Sequence, residues 1–469
     1  MKQRLLKSYF SGIIDTSHGE SYKNIFRYFF PELITALFLY SALQLLDLYF
    51  IGQIKSTAAF ATNGVTNTFV QFIVKIAEGL SVGTLVLVGR FNGAKQDQKV
   101  GDMLVASFWT SVFVGGIFFA AIYFGAYHFF YLYRVPENMI SLGIPFLKLK
   151  AVALFISFVY FGFLGFLRGV KNTRVPMYTF IIGGIAFIIA DYLLIFGKLG
   201  FPELGFFGAA IAQIVQYSVG LVVALIYVFG DKNNRKYGIE LFSVFKNLTL
   251  VKELIFISIP VILDKATVAG SYVWLARMLA PLGAVPLASF SAVKDLERFA
   301  LLPAVALANV ITLVVSNDLG AHDWSGIKTN VKKIVFLSSV MVLSILLAIC
   351  LFAGPIFSLF DPRGEFAWHA TYVFPPLAIL VYFDLLQLIL SAALRGAANV
   401  KLVMWVRFFV CMFFFVPVSY LFTKLDIPNP LIRFILIYGS FYIANAIASA
   451  IYIKRFRDGR WKVKQLEDL

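Results

Sequence analysis

Long apolar runs separated by short polar stretches set the pattern of this chain. They lie near residues 28–52, 59–88, 103–132, 140–167, 176–196 and 206–229. A second set follows near 254–279, 287–315, 334–360, 371–394, 402–423 and 431–453. A helix needs about 20 apolar residues to cross a bilayer. The apolar character here is too long and too continuous for barrel strands, so helices are the remaining solution. The pattern predicts an all-α polytopic membrane protein with twelve transmembrane helices. One internal connection, 230–252, is long and polar. The expected organisation is a cytoplasmic N-terminal segment 1–26, a six-helix bundle 27–229, a cytoplasmic linker 230–252, a second six-helix bundle 253–453 and a basic cytoplasmic tail 454–469.

The two halves repeat each other. Residues 86–94 read VLVGRFNGA and residues 313–321 read LVVSNDLGA, with the Gly-Ala pairs 227 positions apart. LGFLRG at 164–169 and SAALRG at 391–396 share that spacing. Six helices per half send both halves into the membrane in the same direction. They are then parallel repeats about an axis along the membrane normal, with a central cavity expected between the two bundles. Gly93-Ala94 and Gly320-Ala321 are expected to allow tight turns.

Composition agrees with the pattern. The 469 residues are 60% hydrophobic and 14% charged, with a mean hydropathy of +0.83. Soluble domains carry about 25% charge, so soluble, fibrous, disordered and disulfide-rich classes are excluded. Cys350 and Cys411 both fall inside apolar runs and imply no disulfide framework. A net charge of +16 would point to nucleic acid in a soluble chain. Here the surplus sits in loops, which leaves membrane lipids rather than nucleic acid as the partner. Lys and Arg favour cytoplasmic loops. With Lys2, Arg4 and Lys7 inside, the opposite loops hold only Lys55, Arg134, Lys198, Arg363, Lys424 and Arg433. Both termini are therefore expected in the cytoplasm, and no removable signal peptide is expected.

Ionisable residues inside the apolar runs cost about 2.5–3.5 kcal/mol each at mid-bilayer, which makes them functional candidates. The runs contain Asp47, Lys75, Glu78, Asp191, Asp264, Lys265, Arg277, Lys294, Asp295, Glu297, Arg298 and Asp384. Lys75 and Glu78, and the Lys294–Arg298 group, have the spacing at which opposite charges neutralise each other on one helix face. A packing or gating ion pair and a role in transport are both open for these. Asp47, Asp191 and Asp384 have no basic residue within one turn. A lone carboxylate that gains or sheds a proton, or ligates sodium, is what ion coupling requires. Arg168 and Arg395, at matching ends of helices four and ten, read as anchors to headgroups or helix ends. There is no GxxxxGK[ST] loop for a nucleotide, and His18, His128, His322 and His369 show no metal-ligand spacing. The chain reads as a non-enzyme without cofactor.

LLDLYFIG at 45–52, the block Leu164–Gln213, the run Leu287–Ala321 and Asp384 ahead of ALRG together resemble the multidrug and toxic-compound extrusion (MATE) transporters. The resemblance covers nearly the whole chain. It implies a secondary antiporter in a bacterial inner membrane, working as a monomer. Such a protein exports small organic compounds through a central cavity between the bundles, in exchange for protons or sodium ions. Ion coupling would fall to Asp47, Asp191, Asp384 and Glu297, with sodium, where used, at Asp384 or at Asp47/Asp191. Lys75, Glu78, Asp264, Lys265, Gln213 and Gln387 would face the substrate. Basic residues in these helices imply weaker preference for cations, unless Glu78, Asp264 and Glu297 neutralise them. Phe187, Val268 and Gln213 depart from residues common in the family. The alternative reading is a flippase for a lipid-linked saccharide or another amphipathic anion, a class that often has fourteen helices and a strongly cationic cavity.

Overall fold

The computed structural model describes residues 18–39, 43–54, 56–132, 136–242, 248–361 and 364–462. Lys2, Arg4, Lys7, Lys55, Arg134 and Arg363 lie outside the described residues. The described chain is helical throughout: α1 (Tyr22–Leu37), α2 (Leu43–Gln53), α3 (Thr57–Gly93), α4 (Asp97–Leu132), α5 (Glu137–Gly169), α6 (Arg174–Phe196), α7 (Phe206–Gly230) and α8 (Leu248–Leu279). There follow α9 (Ala284–Ala300), α10 (Leu302–Gly320), α11 (Trp324–Leu351), α12 (Ala353–Phe360), α13 (Ala367–Gly396), α14 (Val400–Val410), α15 (Val416–Lys424) and α16 (Pro430–Arg457). Among the described residues eleven spans are long and apolar enough to cross a membrane, and the first apolar run is shared between α1 and α2.

Several runs that look uniform in sequence are broken, each beside a proline. α9 gives way to α10 at Leu301, two residues before Pro303. α11 gives way to α12 at Phe352, ahead of Pro355. Between α14 and α15 the chain forms a π-helical turn, Cys411–Phe415, just before Pro417. Proline has no N–H to give and its ring crowds the carbonyl four residues back, so the preceding turn widens or ends.

The repeat is written into the backbone. Lys95, Lys171, His322 and Ala398 have positive φ of 58°, 62°, 56° and 58°. They form two pairs at the 227-residue spacing. One residue beyond each, the N–H of Gln96, Asn172, Asp323 or Asn399 reaches back to Phe91, Leu167, Asp318 or Leu394 at 2.8–2.9 Å. These are Schellman-type helix ends, held although a left-handed non-glycine residue costs about 1–2 kcal/mol. The left-handed position thus falls on Lys95 and His322, not on the glycines of the two Gly-Ala pairs. Glycine is needed where helices touch. A Cβ on Gly169 would lie 2.5 Å from Val88 Cγ1, and one on its repeat mate Gly396 would lie 2.8 Å from the Thr312 carbonyl.

The chain forms two compact units, residues 30–262 and residues 263–469 with the segment before Phe30. This division differs from the expected bundles 27–229 and 253–453. The 230–252 connection is not a free linker where it is described. Trp109 Nε1 donates to the Leu241 carbonyl at 2.8 Å, and Tyr237 Oη donates to Asn92 at 3.2 Å. The first half of α8 also packs on α3. A Cβ on Gly79 would meet Ile262 at 2.4 Å, and one on Gly83 would meet Ser258 Oγ at 2.1 Å. Polarity marked the boundary in the sequence, whereas small residues on α3 set it in the fold. In this unit α3 and α5 are the most buried helices, while α4, α6 and α7 expose apolar faces suited to lipid.

In the other unit α10, α13 and α16 are buried and α11 is exposed. The described part of the expected segment 1–26 belongs to this unit. Glu20 N–H donates to Asn330 at 2.8 Å, and buried Lys333 donates to the Glu20 carbonyl at 3.0 Å. The expected tail 454–469 also starts packed, with Trp461 fully buried and its carbonyl accepting from Asn399 at 3.0 Å.

Candidate functional site

Each unit encloses its own set of buried charged groups. In residues 30–262, Asp47 on α2, Lys150 on α5 and Asp191 on α6 are 7%, 2% and 0% exposed. The Asn63 and Asn67 amides of α3 sit against Asp47. Lys150 lies within electrostatic reach of both carboxylates. Its Nζ stands 5.1 Å from the ring centroid of Phe146, one turn earlier on α5, and that ring stacks at 4.0 Å on Phe206 of α7. The ammonium is thereby packed against an aromatic face while it stays within electrostatic reach of both acids.

What stays unsatisfied marks this place. Asp47 Oδ1, both Asp191 oxygens, the Asn63 amide and the Thr62 and Thr66 hydroxyls are buried with no hydrogen-bond partner among the described residues. Buried polar atoms normally have partners, so such a set suits water, a proton or a cation. Phe187, four residues before Asp191, is packed with Leu43 and Ala212. Gln213 Oε1 is likewise buried without a partner. Lys75 and Glu78 pair at 2.6 Å, as their spacing predicts.

In residues 263–469 the charges form a continuous hydrogen-bonded chain. Asp264 on α8 accepts from Arg395 of α13 at 2.8 Å and from Arg407 of α14 at 3.1 Å. Arg407 also donates to Asn445 Oδ1 of α16 at 3.2 Å, and Asn445 Nδ2 donates to Asp384 of α13 at 3.0 Å. Beside this chain Glu297 of α9 accepts from Tyr438, and Tyr442 is a second hydrogen-bonding neighbour. Glu297 Oε1 and Gln387 Nε2 are buried without a partner among the described residues.

Several expectations change here. Asp47, Asp191 and Asp384 have no basic neighbour in sequence, yet the fold supplies Lys150 to the first two and Arg407, through Asn445, to the third. Arg168 and Arg395 are not headgroup anchors. Arg168 Nε donates to Glu32 of α1 at 2.7 Å with both residues buried, and Arg395 is tied to Asp264. The two arginines at the repeat spacing therefore each pair with an acid on the first helix of their half. Asp264 and Glu297 spend their hydrogen bonds on arginines and tyrosines rather than on neighbouring lysines. Lys265 is half-buried on α8, and Lys294 Nζ lies 5.6 Å from the Phe290 ring centroid. Lys150, Arg407, Asn445 and Glu32 were missed in the sequence. Lys150, Arg407 and Glu32 fall inside apolar runs, so the rule that flagged Asp47 would have flagged them too.

No three His, Cys, Asp or Glu side chains converge as a metal site among the described residues.

The MatE family model matches residues 33–193 and again residues 260–421, starting 227 positions apart. The probable multidrug resistance protein YoeA of Bacillus subtilis is 24% identical over 455 residues, covering 94% of both chains. The probable multidrug resistance protein NorM of Thermotoga maritima is 23% identical over 382 residues, covering 81% of each. Among solved structures, the bent form of the Vibrio cholerae MATE transporter VcmN superposes with a TM-score of 0.83 at 20% identity. That match covers 94% of this chain and 98% of the other. The family model spans most of the chain in both repeats, and this protein belongs to the MATE family of multidrug efflux transporters.

Proposed function

We propose that the protein is a secondary antiporter that exports organic compounds in exchange for protons or sodium ions. The observation that carries this reading is a set of buried carboxylates in each unit, Asp47 and Asp191 in one and Asp264 and Glu297 in the other, on largely apolar helices. Groups of this kind are costly in a membrane and are found where ions or protons pass. One elementary charge moved through 100 mV supplies about 2.3 kcal/mol, enough for roughly a forty-fold concentration ratio. The names of the relatives, multidrug resistance proteins, support organic compounds as the exported class. We place the protein in a bacterial plasma membrane with both termini in the cytoplasm, on the Lys/Arg asymmetry of its loops. Basic residues such as Lys265 on the same helices as the carboxylates support tolerance of zwitterionic and anionic substrates beside cationic ones.

Cells expressing the chain are expected to accumulate less of a fluorescent cationic dye than control cells, and a matched anionic dye should compete for its export. Collapse of the ion gradients should abolish the difference. Equal accumulation in both cell types, across a panel of dyes, would refute the reading. A reporter fused after Leu469 should be active only in a cytoplasmic form; periplasmic activity would reverse the orientation.

A further inference from the structure

We infer that the groove between α8 and α14 is a binding site for one anionic phospholipid, with an acyl chain along the groove and the headgroup phosphate at Lys401. The antiport reading enters in one respect only: its orientation places this lipid in the cytoplasmic leaflet.

Three polar contacts tie α8 to the run from α14 to α15. Asp264 accepts from Arg407 at 3.1 Å, Ser271 Oγ stands 3.0 Å from Cys411 Sγ, and Trp274 Nε1 donates to Ser419 at 2.9 Å. On the stretch of α8 that these contacts bracket, the small residues Ala266 and Gly270 leave a cavity of about 490 Å³, faced by Met404, Trp405, Phe408 and Met412. Small-molecule sites have this size and this apolar, aromatic lining. A Cβ on Gly270 would meet no atom within 4 Å. Trp405, Phe408 and Met412 are exposed, on a span whose apolar surface is mostly left uncovered by the chain. At this depth the surroundings of that span are lipid.

The lining selects an apolar chain. The Thr267 and Ser271 hydroxyls donate to the Leu263 and Thr267 carbonyls of their own helix at 2.8 and 2.9 Å. None of the side chains lining the groove is acidic. An organic cation would find no counter-charge there, and burying a polar ligand without partners is costly.

Charge is placed at one end. Lys401, Trp405, Phe408 and Met412 follow at spacings of four, three and four residues, so they share one face of α14 and the turn beyond it. Met412 lies about 16 Å along the helix from Lys401, close to the roughly 15 Å depth of one leaflet. Tyr452 Oη donates to the Val403 carbonyl, and Arg455 to Asn399 Oδ1, both at 3.3 Å. These contacts set the basic end of α16, where Lys454 and Arg457 are exposed, beside exposed Lys401 at the start of α14. Basic clusters at the end of a membrane helix attract anionic headgroups. A phosphate held there sends its chain past Trp405 and Phe408 into the groove.

The test compares melting temperatures of the purified full chain in detergent with dioleoyl phosphatidylglycerol or dioleoyl phosphatidylcholine added. The anionic lipid should raise the wild-type value by several degrees more than the zwitterionic one, as a ligand bound only by the folded state does. Lys401→Gln should remove most of that difference. Gly270→Leu, whose added atoms enter open space, should fill the groove and lose the response to both lipids without lowering the melting temperature of the lipid-free chain. Equal responses to both lipids in wild type would overturn the inference. So would an undiminished difference in Lys401→Gln, or a Gly270→Leu protein that responds like wild type. Should Gly270→Leu not fold, native mass spectrometry of delipidated wild type given equal amounts of both lipids decides. Retention of one phosphatidylglycerol supports the site, and retention of neither lipid, or of both equally, refutes it. Failure of efflux under every imposed gradient would count against the antiport reading alone, because lipid binding is read without transport.

Discussion

Asp47→Asn and Asp384→Asn are each expected to abolish gradient-driven efflux while leaving insertion and melting temperature close to wild type. The amide keeps the size of the carboxyl and removes its charge. At the first centre the loss has a specific consequence. Of the two buried carboxylates within electrostatic reach of Lys150, only Asp191 would remain able to change its charge. At the second, Asn445 already donates to Asp384 at 3.0 Å and can donate equally to an amide oxygen. The fold is preserved while the charge change is lost. The steady-state concentration ratio sustained across the membrane should fall from roughly forty-fold, the worth of one charge at 100 mV, to near one. Efflux by both variants at the wild-type level would remove these carboxylates from the mechanism.

Asp264→Asn is expected to act on stability rather than on coupling. Asp264 is 2% exposed and neutralises two guanidiniums at once, Arg395 and Arg407. Removing one partner of a buried pair typically costs roughly 3–5 kcal/mol, because the remaining charge is left buried and uncompensated. Here two cations would be stranded, and the orientation of Asn445 toward Asp384 would lose its support. The melting temperature in detergent should drop by several degrees or more. Arg407→Gln added to Asp264→Asn should recover part of that loss, since the pair shares one interaction. An unchanged melting temperature in the single variant would show that these charges are solvated rather than buried as a network.

The parts of this fold legible in the sequence were those with local causes. Twelve apolar runs report helices because lipid leaves the backbone no other partner. The 227-residue repeat reports paired helix ends because a Schellman turn is fixed by a handful of neighbouring residues, as Lys95 and His322 show. The breaks at Leu301 and Phe352, and the π turn before Pro417, were also local, but hydropathy averages over them. Partner assignment was not legible. Asp264 and Arg407 are 143 residues apart, and Arg168 and Glu32 are 136 apart. Spacing along one helix finds pairs such as Lys75–Glu78 and is blind to pairs made between helices. The three carboxylates without a basic neighbour in sequence look like lone groups for that reason. The unit boundary was hidden similarly, because glycines at 79 and 83 admit α8 against α3 without any change in polarity.

The most direct measurement of the central claim is efflux from liposomes holding the purified wild-type chain, with a proton gradient or a sodium gradient imposed in turn. The account predicts that a dye moves against its concentration only while an ion gradient is present. The movement should follow one of the two imposed gradients, and it should stop when that gradient is dissipated. Dye movement that merely equalises concentrations, unaffected by either gradient, would contradict it.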